Sequence, residues 1–285
     1  MKKLVLPSKL TSMLEDMSSI QSVLPPLAPD PATQALAVRG LTKVFGNNVA
    51  VNRLSLDVPR GSIFGIVGPN GAGKTTMITM ACGLSRPTEG EAWIAGHEVW
   101  STPVEAKRAL GLLADGATVF DRLTGREYLA YLGGLRRMDQ SVVESRTAEL
   151  LQALGLVEAD DKQIVDYSAG MTKKILLAGA LLHNPEVLVL DEPLEAVDPV
   201  SGRLIQSILR AYAAAGGTVV ISSHVMNLVE GLCDHVAIIN KGVVLTAGPV
   251  SDVAQGRSLD DAFVEFVGGE ALAEGTLGWL RGDNQ

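Results

Sequence analysis

The chain has 285 residues, 47% of them hydrophobic and 20% charged, and its formal net charge is −8 at pH 7. This apolar content is typical of a globular protein and excludes extensive disorder, and the length allows one large domain or two small ones. The acidic balance, with no run of Lys or Arg longer than a pair, argues against a nucleic-acid-binding surface.

Cysteines and apolar runs bear on the cellular compartment. Cys82 and Cys233 are far apart in the sequence, so a disulfide framework is not expected and a reducing compartment fits. No apolar run reaches the roughly 18 to 20 residues that span a bilayer. The apolar run after Lys2 and Lys3 ends at Pro7, which is too short for a secretory signal. We therefore predict that the chain is not exported.

The two terminal segments, 1–34 and 256–285, are predicted to be extensions. Apolar residues recur at helical spacing between Lys9 and Leu24, and the proline-rich stretch at 25–31 ends this helix and acts as a stiff linker. The helix either covers this chain's own domain or docks on a partner or a membrane. The C-terminal extension has no recognisable motif. Its leucines cover either this chain's own domain or a partner. These leucines are Leu272, Leu277 and Leu280.

Between these extensions, strands alternate with helices, which is typical of an α/β domain. We predict a mixed sheet with flanking helices at 35–112 and 183–255, and an inserted helical subdomain at about 113–182. Residues 103–182 are mainly helical in pattern. Strands are predicted at 35–38, 54–58, 63–67, 92–94, 187–190 and 218–222, with a hairpin at 236–240 and 243–247. Helices are predicted at 74–84, 125–137, 141–154, 169–182 and 200–214.

A glycine-rich loop follows the strand predicted at 63–67. Its sequence, G-P-N-G-A-G-K-T-T, fits the phosphate-binding pattern G-x-x-x-x-G-K-[ST]. The glycines let successive N–H groups face one anion, and the helix that follows adds the positive end of its dipole. We expect Lys74 to reach the β- and γ-phosphates of ATP and the Thr75 hydroxyl to bind Mg²⁺. The predicted nucleotide-binding residues are Gly68, Pro69, Asn70, Gly71, Ala72, Gly73, Lys74, Thr75 and Thr76.

Two acids follow the apolar strand predicted at 187–190. Residues 187–192 have the sequence V-L-V-L-D-E, and the carboxyl end of a central strand is where open α/β sheets bind ligands. We expect Asp191 to hold the Mg²⁺ through water, and Glu192 to act as general base on the attacking water. A solvated acid pair is the alternative, but the phosphate loop upstream favours the functional interpretation. The sequence therefore predicts an ATPase with Lys74 and Glu192 in its catalytic site.

A histidine ends another apolar strand. Residues 219–224 have the sequence V-V-I-S-S-H, which brings His224 to the same edge of the sheet. We expect this side chain to contact the γ-phosphate and to orient the water or the base. His97 and His235 are predicted to be surface turn residues, and His183 is predicted to be structural.

In order and spacing, these motifs resemble those of the nucleotide-binding subunits of ABC transporters, over about residues 35–255. The family's adenine-stacking aromatic matches Phe45, in K-V-F-G, and its switch histidine matches His224. Its glycine-rich signature L-S-G-G-Q corresponds to Y-S-A-G-M at 167–171, and its Asp in the loop after the acid pair corresponds to Asp198. The resemblance implies a P-loop NTPase core whose helical subdomain carries the signature.

The resemblance also implies partners. Two such domains would face each other head to tail around ATP, so that Ser168 and Gly170 bind the γ-phosphate of the nucleotide held by the partner subunit. ATP-driven closure followed by hydrolysis is a two-state switch, which a separate membrane permease would convert into transport. The chain would then be cytoplasmic, on the inner face of the cell membrane. A homodimer and a heterodimer with a different ATP-binding subunit both stay open.

The sequence departs from the family pattern in three places. Asp115 stands where the family has a Gln that contacts Mg²⁺ and water, so the metal contact could persist with an added charge and a shorter reach. Ala169 and Met171 replace a Gly and the Gln of the signature, and such variants in bacterial exporter subunits favour export. Ala196 replaces the Gly that is usual in the loop after the acid pair, and its methyl group limits backbone freedom.

Two other functions remain as alternatives. One is an ABC-type ATPase that acts on nucleic acid or in translation; the acidic balance and the lack of sustained heptads argue against it. The other is a weakly hydrolysing regulatory nucleotide-binding subunit. Asp115 and Ala196 suggest that function, whereas Glu192 and His224 argue against it.

Overall fold

The structure is a computed structural model that describes residues 29–268. The predicted N-terminal helix and the three C-terminal leucines lie outside the described residues. The strands are β1 (Gln34–Phe45), β2 (Asn48–Pro59), β3 (Ile63–Val67), β4 (Glu89–Ile94), β5 (His97–Glu98), β6 (Leu110–Leu113), β7 (Val187–Leu190), β8 (Thr218–Ser223), β9 (His235–Asn240) and β10 (Val243–Pro249). The α-helices are α1 (Lys74–Ala81), α2 (Pro103–Ala109), α3 (Gly125–Leu135), α4 (Gln140–Ala153), α5 (Ala169–Leu181), α6 (Pro199–Ala214), α7 (Met226–Leu232), α8 (Val250–Ala254) and α9 (Leu259–Val267).

The described strands form two sheets. The six-stranded sheet has the order β10-β9-β3-β8-β7-β6, in which β10 is antiparallel to β9 and the other neighbours are parallel. The four-stranded sheet has the order β2-β1-β4-β5 and is antiparallel. Because β3, β8 and β7 are parallel neighbours, their carboxyl ends meet at one edge. The phosphate loop, the segment with His224 and the acid pair therefore leave the sheet side by side.

Fully buried strands form the centre of the larger sheet. Every residue of β3, β7 and β8 is buried, as expected for parallel strands covered on both faces. One face packs on α1 and the smaller sheet, and the other packs on α5, α6 and α7. Burial of each Val, Leu or Ile side chain contributes roughly 1.5–3 kcal/mol, so these strands hold the residues at their ends firmly.

Helices α3, α4 and α5 pack together on one side of the molecule. Thr124 starts α3 with a capping box: its hydroxyl accepts the N–H of Glu127 at 3.2 Å, and its own N–H donates to the Glu127 carboxylate at 2.8 Å. An added Cβ at Gly133 would lie 2.4 Å from a methyl group of Val143, so glycine permits the close approach of α3 and α4. This packing positions the start of α5.

Two features of the strands differ from the sequence-based prediction. Strand β1 extends to Phe45 and β2 begins at Asn48, so both strands include residues for which no element was predicted. Their pairing has several register shifts, and such irregularities interrupt the alternation on which a strand prediction depends. No strand was predicted at β6, which lies within the mainly helical stretch 103–182 and pairs with β7. A short apolar run has no periodicity that separates a strand from a helix.

The histidines and the C-terminal part of the domain also differ from expectation. His97 and His235 were wrongly expected in surface turns: His97 lies in β5, and His235 lies in β9 with its ring stacked on Phe64 at 6.2 Å. The Nε2 atom of His183 lies 2.9 Å from the carbonyl oxygen of Leu110. Helix α9 lies in a stretch without a predicted element and buries Leu259. Between residues 29 and 268, no helix is both long and apolar enough to cross a membrane.

Candidate active site

The loop between β3 and α1 forms a wall of a cavity of about 620 Å³. An added Cβ at Gly68 would lie 2.2 Å from the carbonyl oxygen of Ile239. Gly73 has φ +100°, and a Cβ there would lie 2.6 Å from the carbonyl oxygen of Ala50. Side chains at these positions would push the loop away from its neighbours. The predicted loop residues that line the cavity are Asn70, Gly71, Ala72, Gly73, Lys74, Thr75 and Thr76.

Helix α1 begins at this cavity. Gly73 is its N-cap residue, and among the described residues no side chain caps the first turn and no acid lies within it. The first N–H groups of a helix have no intrahelical acceptor, and the helix dipole places partial positive charge there. Thr75, in the same turn, is exposed and lines the cavity. This end of α1 is therefore suited to bind phosphate groups.

Lys74 joins the loop to the acid pair. Its side chain is 7% exposed, and its Nζ donates a hydrogen bond of 2.8 Å to the carbonyl oxygen of Gly68. The same Nζ lies 3.5 Å from the carbonyl oxygen of Pro69 and 3.8 Å from Oε1 of Glu192. Gly68 and Pro69 do not line the cavity, but their carbonyl oxygens contact the Lys74 ammonium, which does. Because both charged side chains are largely buried, solvent screens their attraction only weakly.

Asp191 has the donor chemistry of a magnesium ligand. It follows β7 and is 1% exposed. The hydroxyl of Ser222 donates to its Oδ1, whereas no described residue donates to its buried Oδ2. A buried oxygen left unsatisfied costs about 1–3 kcal/mol, and more when it is charged, unless a cation neutralises it. Mg²⁺ typically takes one or two carboxylates together with nucleotide phosphates, so Asp191 and the hydroxyl of Thr75 fit this ion.

Glu192 is held at four points. Its N–H donates to the Ser222 hydroxyl at 2.9 Å, and its carbonyl oxygen accepts from Nζ of Lys173 at 3.1 Å. Its carboxylate lies 3.1 Å from Nδ1 of His224 and 3.8 Å from Nζ of Lys74. Its φ of +48° is in the left-handed region, which costs a non-glycine residue roughly 1–2 kcal/mol. These contacts stabilise that conformation and direct the carboxylate at the cavity.

Three further predicted residues line the same cavity: His224, Phe45 and Asp115. His224 follows β8, and its side chain is 45% exposed. Phe45 ends β1, is 54% exposed, and has the Lys43 ammonium 5.1 Å from its ring centroid. An exposed ring at the rim offers a face on which a base can stack.

Several residues at the site were missed by the sequence analysis. Ser222 and Lys173 contact the acid pair, and only the tertiary structure shows those contacts. The strand with Ser222 ends in two serines, Ser222 and Ser223, so its pattern alone does not show which of them faces the acid pair. The other missed residues that line the cavity are Asn48, Val49, Ala50, Glu195 and Lys241.

The remaining predicted site residues, Ser168, Gly170 and Asp198, do not line this cavity and form a second cluster. Ser168 caps α5, and its exposed hydroxyl accepts the N–H of Met171 at 3.2 Å. Asp198 caps α6 by accepting the N–H groups of Val200 and Ser201 at 3.0 and 2.9 Å. The hydrogen bonds from Ser201 hold the pKa of Asp198 below its ordinary value. An added Cβ at Gly170 would lie 3.3 Å from Oδ2 of Asp198, so the two capped helix ends are adjacent.

Ala196 lies between the two clusters in sequence and has a left-handed backbone. Its φ is +57°, a conformation that glycine adopts without steric cost. The alanine at this position therefore has strain of about 1 kcal/mol or more. The chain takes the backbone conformation of a glycine here in spite of its methyl group.

Comparisons with known proteins agree with this geometry. The sequence profile of a family described as ABC transporter matches residues 51–195. The daunorubicin/doxorubicin resistance ATP-binding protein DrrA of Streptomyces peucetius is 37% identical over 221 residues, which cover 78% of this chain and 67% of that protein. The linearmycin resistance ATP-binding protein LnrL of Bacillus subtilis is 33% identical and covers 76% of this chain and 70% of its own length.

Solved structures give the same match at the level of the fold. The ATP-binding subunit of an ABC transporter superposes with a TM-score of 0.76 at 26% identity, over 81% of this chain and 99% of that one. A nucleotide-free ATP-binding cassette from an ABC transporter superposes with a TM-score of 0.71 at 25% identity, over 83% of this chain and 100% of that one.

Proposed function

Since the chain belongs to the ABC transporter family, as an ATP-binding subunit of the kind that hydrolyses ATP, we propose that it powers the export of a substrate through a separate membrane permease. Export is supported by the relatives DrrA and LnrL, whose names describe them as resistance proteins. The Y-S-A-G-M signature at 167–171 supports the same direction. The chain would act in the cytoplasm, on the inner face of the membrane.

The proposed reaction uses residues around the cavity. The N–H groups at the start of α1 and the Lys74 ammonium bind the β- and γ-phosphates, and Phe45 stacks on the adenine. Thr75 and Asp191 would hold Mg²⁺, which when bound neutralises phosphate charge. Glu192 takes the proton of the attacking water, and His224, 3.1 Å from that carboxylate, fixes its orientation. Asp115 lines the same cavity and would approach the metal.

The second cluster supports a head-to-tail dimer. Ser168 and Asp198 are exposed, and the start of α5 has the positive dipole end that suits a γ-phosphate. In the dimer, Ser168 and Gly170 of one subunit would contact the nucleotide in the cavity of the other. We further propose residues 35–255 as the ATPase domain and about 113–182 as its helical subdomain.

One observation carries the proposal: the Lys74 ammonium of the phosphate loop lies 3.8 Å from the Glu192 carboxylate of the acid pair. We would test it by isolating the full chain from membranes and identifying the integral membrane protein that copurifies. ATP turnover of that complex is then measured, with Lys74→Ala as matched control. We expect the variant to copurify normally without turnover. Recovery without any membrane protein, or normal turnover of the variant, would contradict the proposal.

Asp115 and Ala196 favour a second candidate, a regulatory subunit that binds ATP and hydrolyses it slowly. Asp115 adds a negative charge to a cavity that already contains Glu192, and Ala196 strains the loop after the acid pair. Turnover of the wild type and of Asp115→Gln distinguishes the two candidates. Fast wild-type turnover supports the transporter ATPase. Slow wild-type turnover that the substitution accelerates supports the regulatory subunit.

A further inference from the structure

Ser222 bridges the two acids with one hydroxyl group. It lies in β8, is fully buried, and stands beside the carboxyl end of β7. The hydroxyl donates its only proton to Oδ1 of Asp191. A lone pair of the same oxygen accepts the N–H of Glu192 at 2.9 Å. One side chain thus contacts the side chain of the first acid and the backbone of the second.

We propose that Ser222 is a positioning residue for ATP hydrolysis, which holds the metal-binding acid and the general base in register with each other. The proposal rests on the roles proposed above for Asp191 and Glu192. It assigns no contact between Ser222 and the nucleotide.

For Asp191, the bond from Ser222 determines which carboxylate oxygen is available. Oδ1 is occupied by the hydroxyl, whereas Oδ2 is buried and accepts no hydrogen bond from the described residues. Without the hydroxyl, the carboxylate could rotate, and both of its oxygens would be unsatisfied. Groups behind a metal ligand orient it in this way, and their loss typically weakens metal affinity or activity about 10- to 100-fold.

For Glu192, the bond from Ser222 holds the backbone. The residue has a left-handed φ of +48°, which non-glycine residues adopt only when their surroundings stabilise it. Its N–H points to Ser222, and leaving that group without an acceptor would remove one support of the strained conformation. A relaxed backbone would move the carboxylate away from His224 and Lys74.

The neighbouring Ser223 offers a matched control. It lies in the same strand, is 5% exposed, and its hydroxyl accepts the N–H of Val225 at 3.0 Å. Ser222→Ala and Ser223→Ala each remove a hydroxyl group from a buried position in β8. Only the hydroxyl of Ser222 contacts the acid pair. A general effect on the sheet would appear in both variants.

The test compares full-length wild type, Ser222→Ala and Ser223→Ala. We expect Ser222→Ala to lower kcat about 10- to 100-fold with little change in KM for ATP, and to raise the Mg²⁺ concentration for half-maximal turnover. Ser223→Ala should stay close to wild type in all three quantities. Ser222→Cys, which fills the same space with a weaker donor, should behave like the alanine variant, and it replaces that variant if alanine prevents folding.

A second readout does not depend on turnover. The melting temperature is measured with ATP in EDTA and with ATP and Mg²⁺. We expect ATP in EDTA to stabilise wild type and Ser222→Ala equally, and the same Mg²⁺ concentration to add more stabilisation in the wild type than in the variant. Equal Mg²⁺ effects and equal kcat in the two proteins would overturn the proposal, as would equal losses in Ser223→Ala. If the wild type itself lacks Mg²⁺-dependent turnover, the proposed function fails instead.

Discussion

The cavity at the phosphate loop and the cluster at the start of α5 differ in how their polar groups are satisfied. Around the cavity, Glu192 contacts both Lys74 and His224, and Asp191 is buried. In the cluster, Ser168 and Asp198 are exposed, and each uses its side chain to cap a helix. The polar groups around the cavity are therefore held by contacts within a single chain, whereas the cluster exposes two capped helix ends at the surface. Under the proposed function, the first region supplies the hydrolytic residues, and the second is the surface that a second subunit would complete.

A mixing experiment tests this comparison with the largest expected effect. Lys74→Ala removes the phosphate-binding charge of the cavity, and Ser168→Arg blocks the cluster, so we expect each variant alone to lose nearly all turnover. Mixing the two should restore part of the activity. A heterodimer then combines the intact cavity of one subunit with the intact cluster of the other. Turnover of the mixture is compared with that of each variant at the same total concentration, and a mixture as inactive as its components would contradict the division of roles.

A smaller effect is expected at Ala196, in the loop that leads from the cavity to the cluster. Its φ of +57° is unfavourable for alanine, so Ala196→Gly should stabilise the protein by roughly 0.5–1 kcal/mol. Ala211→Gly is the control, because this exposed alanine lies inside α6 and the substitution should destabilise by about 1 kcal/mol. Chemical denaturation measures both. Effects of the same sign would show that the loop conformation carries no strain.

A further effect, on the pH dependence of stability, concerns His183, which lies outside both regions. Burial lowers the pKa of this histidine from 6.5 to about 4. The unfolded chain therefore takes up a proton at higher pH than the folded one, and stability falls as the pH decreases from 6.5 towards 4. Replacement by glutamine, which can still donate to the carbonyl oxygen of Leu110, should make this fall shallower, by at most about 1.4 kcal/mol per pH unit. The melting temperatures of the wild type and the variant are measured between these two pH values. Identical slopes of melting temperature against pH would refute the prediction.

The sequence predicted those parts of the fold in which local pattern and tertiary structure agree. The strand Val187–Leu190 is observed at its predicted residues, because the two acids that follow it and the phosphate loop upstream together indicate a buried strand end. β1 and β2 were predicted too short, since their register shifts obscure the alternation, and β6 was missed because four apolar residues carry no period. The ends of a strand that depend on its pairing with a neighbouring strand cannot be predicted from the local sequence pattern.

Site residues that belong to a sequence motif could be predicted. Residues that contact the backbone of another site residue could not. The loop residues and the acid pair belong to known patterns, and the structure places them around or beside one cavity. Lys173 donates to the carbonyl oxygen of Glu192, and the hydroxyl of Ser222 accepts the N–H of Glu192. Both contacts join elements distant in sequence, so no spacing rule signals them. The left-handed conformation of Glu192 was equally invisible before the fold was known.

In the proposed reaction, Glu192 performs the chemistry and the phosphate loop performs the binding. Glu192→Gln keeps the size of the side chain and removes its basicity. We expect this variant to bind ATP as tightly as the wild type and to hydrolyse it about 10²- to 10⁴-fold more slowly. Glu186→Gln, just before the opposite end of β7, is the control and should match the wild type in both. Wild-type turnover by Glu192→Gln, or loss of ATP binding with turnover per bound ATP unchanged, would contradict the account.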